Sequence, residues 1–116
     1  MKIKGHKAER IVVNFLKKRG YKILACNFRS YSLGEIDILA QKDSKLHCLE
    51  VKSSFRGQKP LWLKINKKKI AHISKTLEFW LKLNNSYWNF DREIDLAIVI
   101  FKNKKAFIKI WHNISL

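Results

Sequence analysis

The sequence predicts an α/β fold whose elements run α-β-β-β-α-β-β, with a central strand covered by helices on both sides. Three observations predict it. Two segments, residues 5–19 and about 66–83, repeat apolar residues at the helical period. Five shorter stretches have the alternation or short apolar runs of strands. One of these, residues 46–53, is apolar on both faces, with Leu46 and Cys48 on one side and Leu49 and Val51 on the other. Such a strand needs cover above and below.

Ala8, Ile11, Val12, Phe15 and Leu16 make one face of the first helix. Gly20 follows where a left-handed residue is favoured, and Lys17, Lys18 and Arg19 suit the negative end of the helix dipole. Glu9 falls beside Leu16 at the margin of the stripe; taken alone it reads as a solvated helix acid. Residues 21–28 form the first strand, and 27–33 a polar and aromatic loop ending at Gly34. The next two strands occupy about 35–41 and 46–53. Residues 53–64 (SSFRGQKPLWLK) form a loop punctuated by Gly57 and Pro60. In it Arg56, Lys59 and Lys64 lie among Phe55 and Trp62, a mixture suited to phosphates and unstacked bases. A linker whose Trp62 packs on the core is an equal reading. The second helix, about Asn66 to Leu83, buries Ile70, Ile73, Leu77, Trp80 and Leu81 and takes Asn66 as its N-cap. Residues 84–92 are polar and turn-like. The last strands, about 93–101 and 106–112, flank a turn at 102–105, and Asp95 heads the apolar run Leu96–Ile100. With no repeat, low-complexity tract or boundary, the chain reads as one domain, 1–116.

The second and third strands carry acids in mid-strand, where Asp and Glu are normally depleted. A hairpin turning on Asp43 and Ser44 pairs Lys42 with Lys45. Counting outward puts Asp37 opposite Glu50 and Glu35 opposite Lys52. Like charges directly opposite repel, so Asp37 and Glu50 call for a neutralising partner: a metal ion or a lysine.

Charge supplies the context. Twenty-five basic residues against nine acidic give +16, and three of those acids, Glu35, Asp37 and Glu50, fall in this hairpin. Lys outnumbers Arg 20 to 5, which a biased genome would explain; the scarcity of acids it would not. A surplus of this size favours a polyanionic partner. Nucleic acid is favoured over membrane, because no segment is a basic amphipathic anchor and no apolar run reaches spanning length. The start, MKIKGHKAER, lacks the apolar core of a secretory signal. Cys26 and Cys48 have no metal-ligand spacing and are expected as free thiols in a reducing cytoplasm.

Asp37 and Glu50 offer the hard oxygen ligands that Mg²⁺ prefers, with Mn²⁺ a substitute. Lys52, two residues on and on the same face as Glu50, would face an attacking water or a scissile phosphate. Glu9 could add a third carboxylate. Lys67, Lys68 and Lys69 open the second helix, at the positive end of its dipole, each unfavourable by about 0.3–1 kcal/mol. A bound phosphate would relieve that cost.

The run GHKAE at 5–9, the N-x-R of Asn27–Arg29, GEIDILA at 34–40 and LEVK at 49–52 resemble the YraN-type family of small bacterial proteins. By its motifs that family belongs to the restriction-endonuclease-like PD-(D/E)xK superfamily, and in layout it is similar to archaeal Holliday-junction resolvases. The resemblance covers nearly the whole chain. It implies a restriction-endonuclease-like mixed sheet with flanking helices and a Mg²⁺ site. Asp37, Glu50 and Lys52 match the superfamily's catalytic triplet, Glu9 its helix-1 acid, and Glu35 the family's GEID motif. Lys69 matches a basic or amide residue early in the second helix. Arg29 and Arg56, with Lys67–Lys69, are the expected nucleic-acid contacts. Two departures stand out: Ser53–Ser54 follow the EVK where members carry x-R, and Glu93–Ile94–Asp95 replaces R-F-D. The reading is a Mg²⁺-dependent nuclease acting on DNA, structured or branched, and a homodimer by analogy with the resolvases. Its rival is a nucleic-acid-binding module of the same fold that does not cut; RNA is a third possibility.

Overall fold

The computed structural model describes residues 3–30, 34–55 and 66–114. Helix α1 (Ile3–Lys18) is followed by strands β1 (Lys22–Ser30), β2 (Gly34–Lys42) and β3 (Lys45–Phe55), helix α2 (Lys67–Leu83), and strands β4 (Asp91–Lys102) and β5 (Lys105–Trp111). The strands form one mixed sheet in the order β1-β2-β3-β4-β5. All neighbours are antiparallel except β3 and β4, which run parallel over eleven paired residues, from Lys45–Asp91 to Phe55–Phe101. This is a restriction-endonuclease-like α/β arrangement, in the order expected. No helix among the described residues is long and apolar enough to cross a membrane.

Each helix buries the stripe its sequence presents. Ala8, Val12 and Leu16 of α1 pack on Ile38, Ala40, Leu49, Ala97 and Val99. Ile73, Leu77, Trp80 and Leu81 of α2 pack on Ile36, Leu39, Leu46 and Cys48. The expected two-sided burial of β3 follows directly, with Leu49 facing α1 and Leu46 and Cys48 facing α2. Gly20 (φ 88°) terminates α1: its N–H donates to the Lys17 carbonyl at 3.1 Å and the Tyr21 N–H to the Leu16 carbonyl at 3.0 Å, the Schellman pattern. Asn66 caps α2, its side chain accepting from the Lys69 N–H. Cys26 and Cys48 are both free, and burial pushes the Cys48 thiol up to about 12.

Two expected loops are partly strand. Residues 27–30 continue β1, because Phe28 and Arg29 pair with Ile36 and Glu35 and the buried Ser30 hydroxyl donates to Thr76 Oγ1 at 3.3 Å. Asn27 joins the two halves of the strand at φ 54°, a conformation Asn tolerates better than most residues. Residues 53–55 continue β3, held by their pairing to Val99, Ile100 and Phe101. In both places long-range pairing outweighs polar local sequence. Arg56, Gly57, Lys59, Pro60, Trp62 and Lys64 lie outside the described residues.

Leu49 sits at the junction of β3 with α1 and is 1% exposed, whereas Phe107 on β5 is 52% exposed. Leu49→Ala is expected to cost about 2–5 kcal/mol in urea denaturation. Phe107→Ala should stay within about 0.5 kcal/mol of the parent.

Candidate functional site

The β2–β3 turn keeps the register counted from it: Lys42 opposes Lys45, and the pairs run on through Gln41–Leu46 to Ile38–Leu49. There the ladder ends, one pair short of Asp37–Glu50. The direct Asp37–Glu50 and Glu35–Lys52 pairings expected from the count are therefore not made. Like-charge repulsion between buried acids opposes the first. The Val51 N–H donates instead to Asp37 Oδ2 at 2.8 Å. The second gives way to Glu35 pairing with Arg29 across β1, an ion pair of 3.8 Å with Arg29 largely exposed. β2 also turns over at this point. Ile36 packs with the α2 cluster and Ile38 with the α1 cluster, although residues two apart in a regular strand share a face.

Asp37 and Glu50 are 8% and 3% exposed, so both carboxylates are buried. Glu50 Oε2 is held by two lysines, Lys52 Nζ at 3.3 Å and Lys69 Nζ at 3.2 Å. Lys69 reaches it from the first turn of α2, which contains no acid of its own. Glu50 therefore relieves one of the three cations at that helix end, a role the sequence reading gave to a phosphate. Asp37 has a different environment. Burial first, then the charges of Glu50, Glu9 and Glu35, push its carboxyl up to about 7 against the lowering effect of the Val51 hydrogen bond. Glu9 thus acts on Asp37 from α1, half-buried at the margin of the stripe. Lys67 and Lys68 are exposed.

The structure brings Glu9, Glu35, Asp37, Glu50, Lys52 and Lys69 into one region. It leaves Arg29 at the rim, joined through Glu35, and Arg56 outside the described residues. Gly34, which opens the GEID motif, has φ 129°, and a Cβ there would sit 3.4 Å from His72 Cβ on α2. That contact is an ordinary one, and it is the positive φ, which L side chains rarely adopt, that explains the glycine. The sequence reading gave no role to Val51, whose contribution is a backbone N–H and leaves no mark on residue type. It also passed over His47 and His112, which meet Glu93 and Asp95 on β4. The available signal was the i, i+2 spacing of the two acids, which puts both on one face of a strand.

The donor set suits Mg²⁺. Asp37 and Glu50 supply hard carboxylate oxygens, with Glu9 near enough to influence Asp37, and the burial and neighbouring acids that raise the Asp37 carboxyl are what a bound cation would offset.

Comparison with known proteins gives a consistent assignment. The model of the family described as "Uncharacterised protein family UPF0102" matches residues 8–101. The chain is similar to a UPF0102 protein of Campylobacter hominis, 40% identical over 112 residues that span 97% of this chain and 93% of that protein. It is likewise 40% identical over 111 residues to one of Campylobacter lari, spanning 96% and 92% of the two chains. A third, from Aliarcobacter butzleri, is 35% identical over 99 residues, spanning 85% and 87%.

The raised Asp37 carboxyl makes a stability prediction. Between about pH 4 and 7 the folded chain holds a proton that the unfolded chain, titrating near 3.8, has released. The folded state binds more protons in that window, so the Asp37 contribution to stability falls as pH rises across it. In chelator, Asp37→Asn should therefore gain stability relative to the parent from pH 4 to pH 8. Urea denaturation at several pH values would read it; a relative loss towards pH 8 contradicts the assignment.

Proposed function

We propose that this chain, which belongs to the UPF0102 family, is a divalent-metal-dependent nuclease that hydrolyses phosphodiester bonds in DNA, structured or branched DNA above all. The observation that carries the reading is the opening of the β2–β3 ladder at two buried acids, with Lys52 and Lys69 on one of them, in a chain of net charge +16. The resemblance of Asp37, Glu50 and Lys52 to the PD-(D/E)xK triplet supports it. Asp37 and Glu50 would hold Mg²⁺, or Mn²⁺ in its place, with Glu9 as a further carboxylate. Bound there, the ion supplies positive charge to a phosphoryl oxygen and to the attacking water.

The chain's own residues do the remaining work. Lys52, one-third exposed, leaves Glu50 to orient the attacking water and to offset charge developing on the phosphoryl oxygens. Lys69 has a similar choice of partners, Glu50 or a backbone phosphate. Exposed Lys67 and Lys68 at the N-terminus of α2 position the strand. Glu35 keeps Arg29 beside the site as a phosphate contact. The general excess of Lys and Arg concentrates the polyanion near a small acidic centre that alone would repel it.

A second reading, a nucleic-acid-binding protein of this fold that does not cut, is favoured by one observation: the two lysines already neutralise Glu50. A single experiment separates the two. Labelled duplex, single-stranded, flap and four-way DNA, with RNA counterparts, are incubated with the protein and Mg²⁺ or Mn²⁺. Cleavage of at least one substrate is expected, falling at least about 100-fold in Glu50→Gln and in Lys52→Ala. Tight binding indifferent to Mg²⁺, with no cleavage, supports the binder; cleavage that survives both substitutions removes these residues from the mechanism.

A further inference from the structure

We propose that His47, Glu93, Asp95 and His112 form a structural binding site for one divalent transition-metal ion, with Zn²⁺ the best chemical match. The site is separate from the Asp37–Glu50 centre. His47 and Glu50 lie three apart on β3 and so face opposite sides of the sheet. The ring of His47 packs edge-on to Tyr21, 5.2 Å between centroids.

Four donor atoms converge. His47 Nδ1 lies 2.8 Å from Asp95 Oδ2 and 3.2 Å from Glu93 Oε2, and His112 Nδ1 lies 3.0 Å and 3.2 Å from the same two oxygens. All four lie within 4.8 Å of one another. Four ligands at about 2.0–2.1 Å from a tetrahedral Zn²⁺ stand about 3.3 Å apart, so adjustments of about half an ångström or less would bring the four imidazole–carboxylate edges to that spacing. Two imidazoles and two carboxylates form a mixed nitrogen and oxygen set suited to Zn²⁺ and its neighbours, not to Mg²⁺.

The surrounding contacts aim these atoms. The other oxygen of Asp95, Oδ1, accepts from the Asn113 N–H at 2.9 Å, with Asn113 at φ 54°. The other oxygen of Glu93, Oε1, accepts from Lys45 Nζ at 3.2 Å. Each carboxylate thus has one oxygen fixed by an outer partner and presents the other to both imidazoles, the division of labour seen around metal sites. Two of the nine acids, both on one face of β4, and two of the four histidines of a +16 chain meet here. Three of the four groups are largely buried, while His112 is half-exposed. An open groove lined by Lys45, Trp88, Asp91 and Asn113 borders Glu93. With four protein ligands the site is closed, and a closed site is structural. It would tie the segment after β5 to the β3–β4 pair.

The test uses the untagged full chain, loaded with Zn²⁺ and dialysed, with metal content by mass spectrometry, affinity by calorimetry and thermal melting. One Zn²⁺ per chain and a raised melting temperature are expected for the parent and for Glu50→Gln, which leaves all four ligands in place. His112→Ala, at an exposed position, and Glu93→Gln should each weaken Zn²⁺ at least about tenfold and lose the thermal gain, with unchanged circular dichroism. No retained Zn²⁺ in the parent, parental affinity in both variants, or loss of Zn²⁺ in Glu50→Gln alone would overturn the proposal.

Discussion

Asp37 and Glu50 are next in line after Ile38 and Leu49 in the β2–β3 ladder, and the sheet does not close on them. Closing would set two carboxylates opposite each other out of water, where each is costly and both together more so. Past the opening each strand stays held on its other side. β2 keeps its pairing to β1 through Phe28–Ile36, and β3 keeps its pairing to β4 as far as Phe55. The N–H that the opening exposes, that of Val51, is met by the carboxylate that caused it.

The scarcity of acids makes their placement informative. Four of nine, Glu9, Glu35, Asp37 and Glu50, gather around the gap, and two more, Glu93 and Asp95, face the histidines on β4. The other three, Asp43, Glu78 and Asp91, are exposed among a large excess of lysine and arginine. Among the described residues, the acids of a +16 chain are thus gathered mainly at two points.

Periodicity and turn length reach a long way into this structure. The stripe of α1, the Asn66 cap, the Gly20 terminus and the Lys42–Lys45 register were all legible, since each is set by residues close in sequence. The hairpin register also located Asp37 and Glu50, the core of the candidate site. What was hidden depends on partners far along the chain. Residues 27–30 and 53–55 look like loop until β2 and β4 are placed beside them. The ion pair from Lys69 to Glu50 spans from a helix end to mid-strand. His47 and His112 gain meaning only when β3 and the end of β5 are known to flank β4. Helix-dipole placement had already singled out Lys67–Lys69, and the motifs shared with the YraN-type family added weight to Lys69 and to Glu9, which taken alone reads as a solvated helix acid.

The parallel pairing of β3 with β4 has a kinetic side. Its partners are all 46 residues apart, from Lys45–Asp91 to Phe55–Phe101, whereas the β2–β3 and β4–β5 hairpins close over two-residue turns. Short-range contacts form quickly and long-range ones slowly, so the expected course is two local sheets, β1-β2-β3 and β4-β5, that join last along this seam. The two clusters depend on this join differently. Glu9, Asp37, Glu50 and Lys52 all lie on α1, β2 and β3, on one side of it, whereas His47 meets Asp95 across it. The histidine–carboxylate cluster is therefore complete only once the two sheets have joined, while the acids of the β2–β3 gap come together without it.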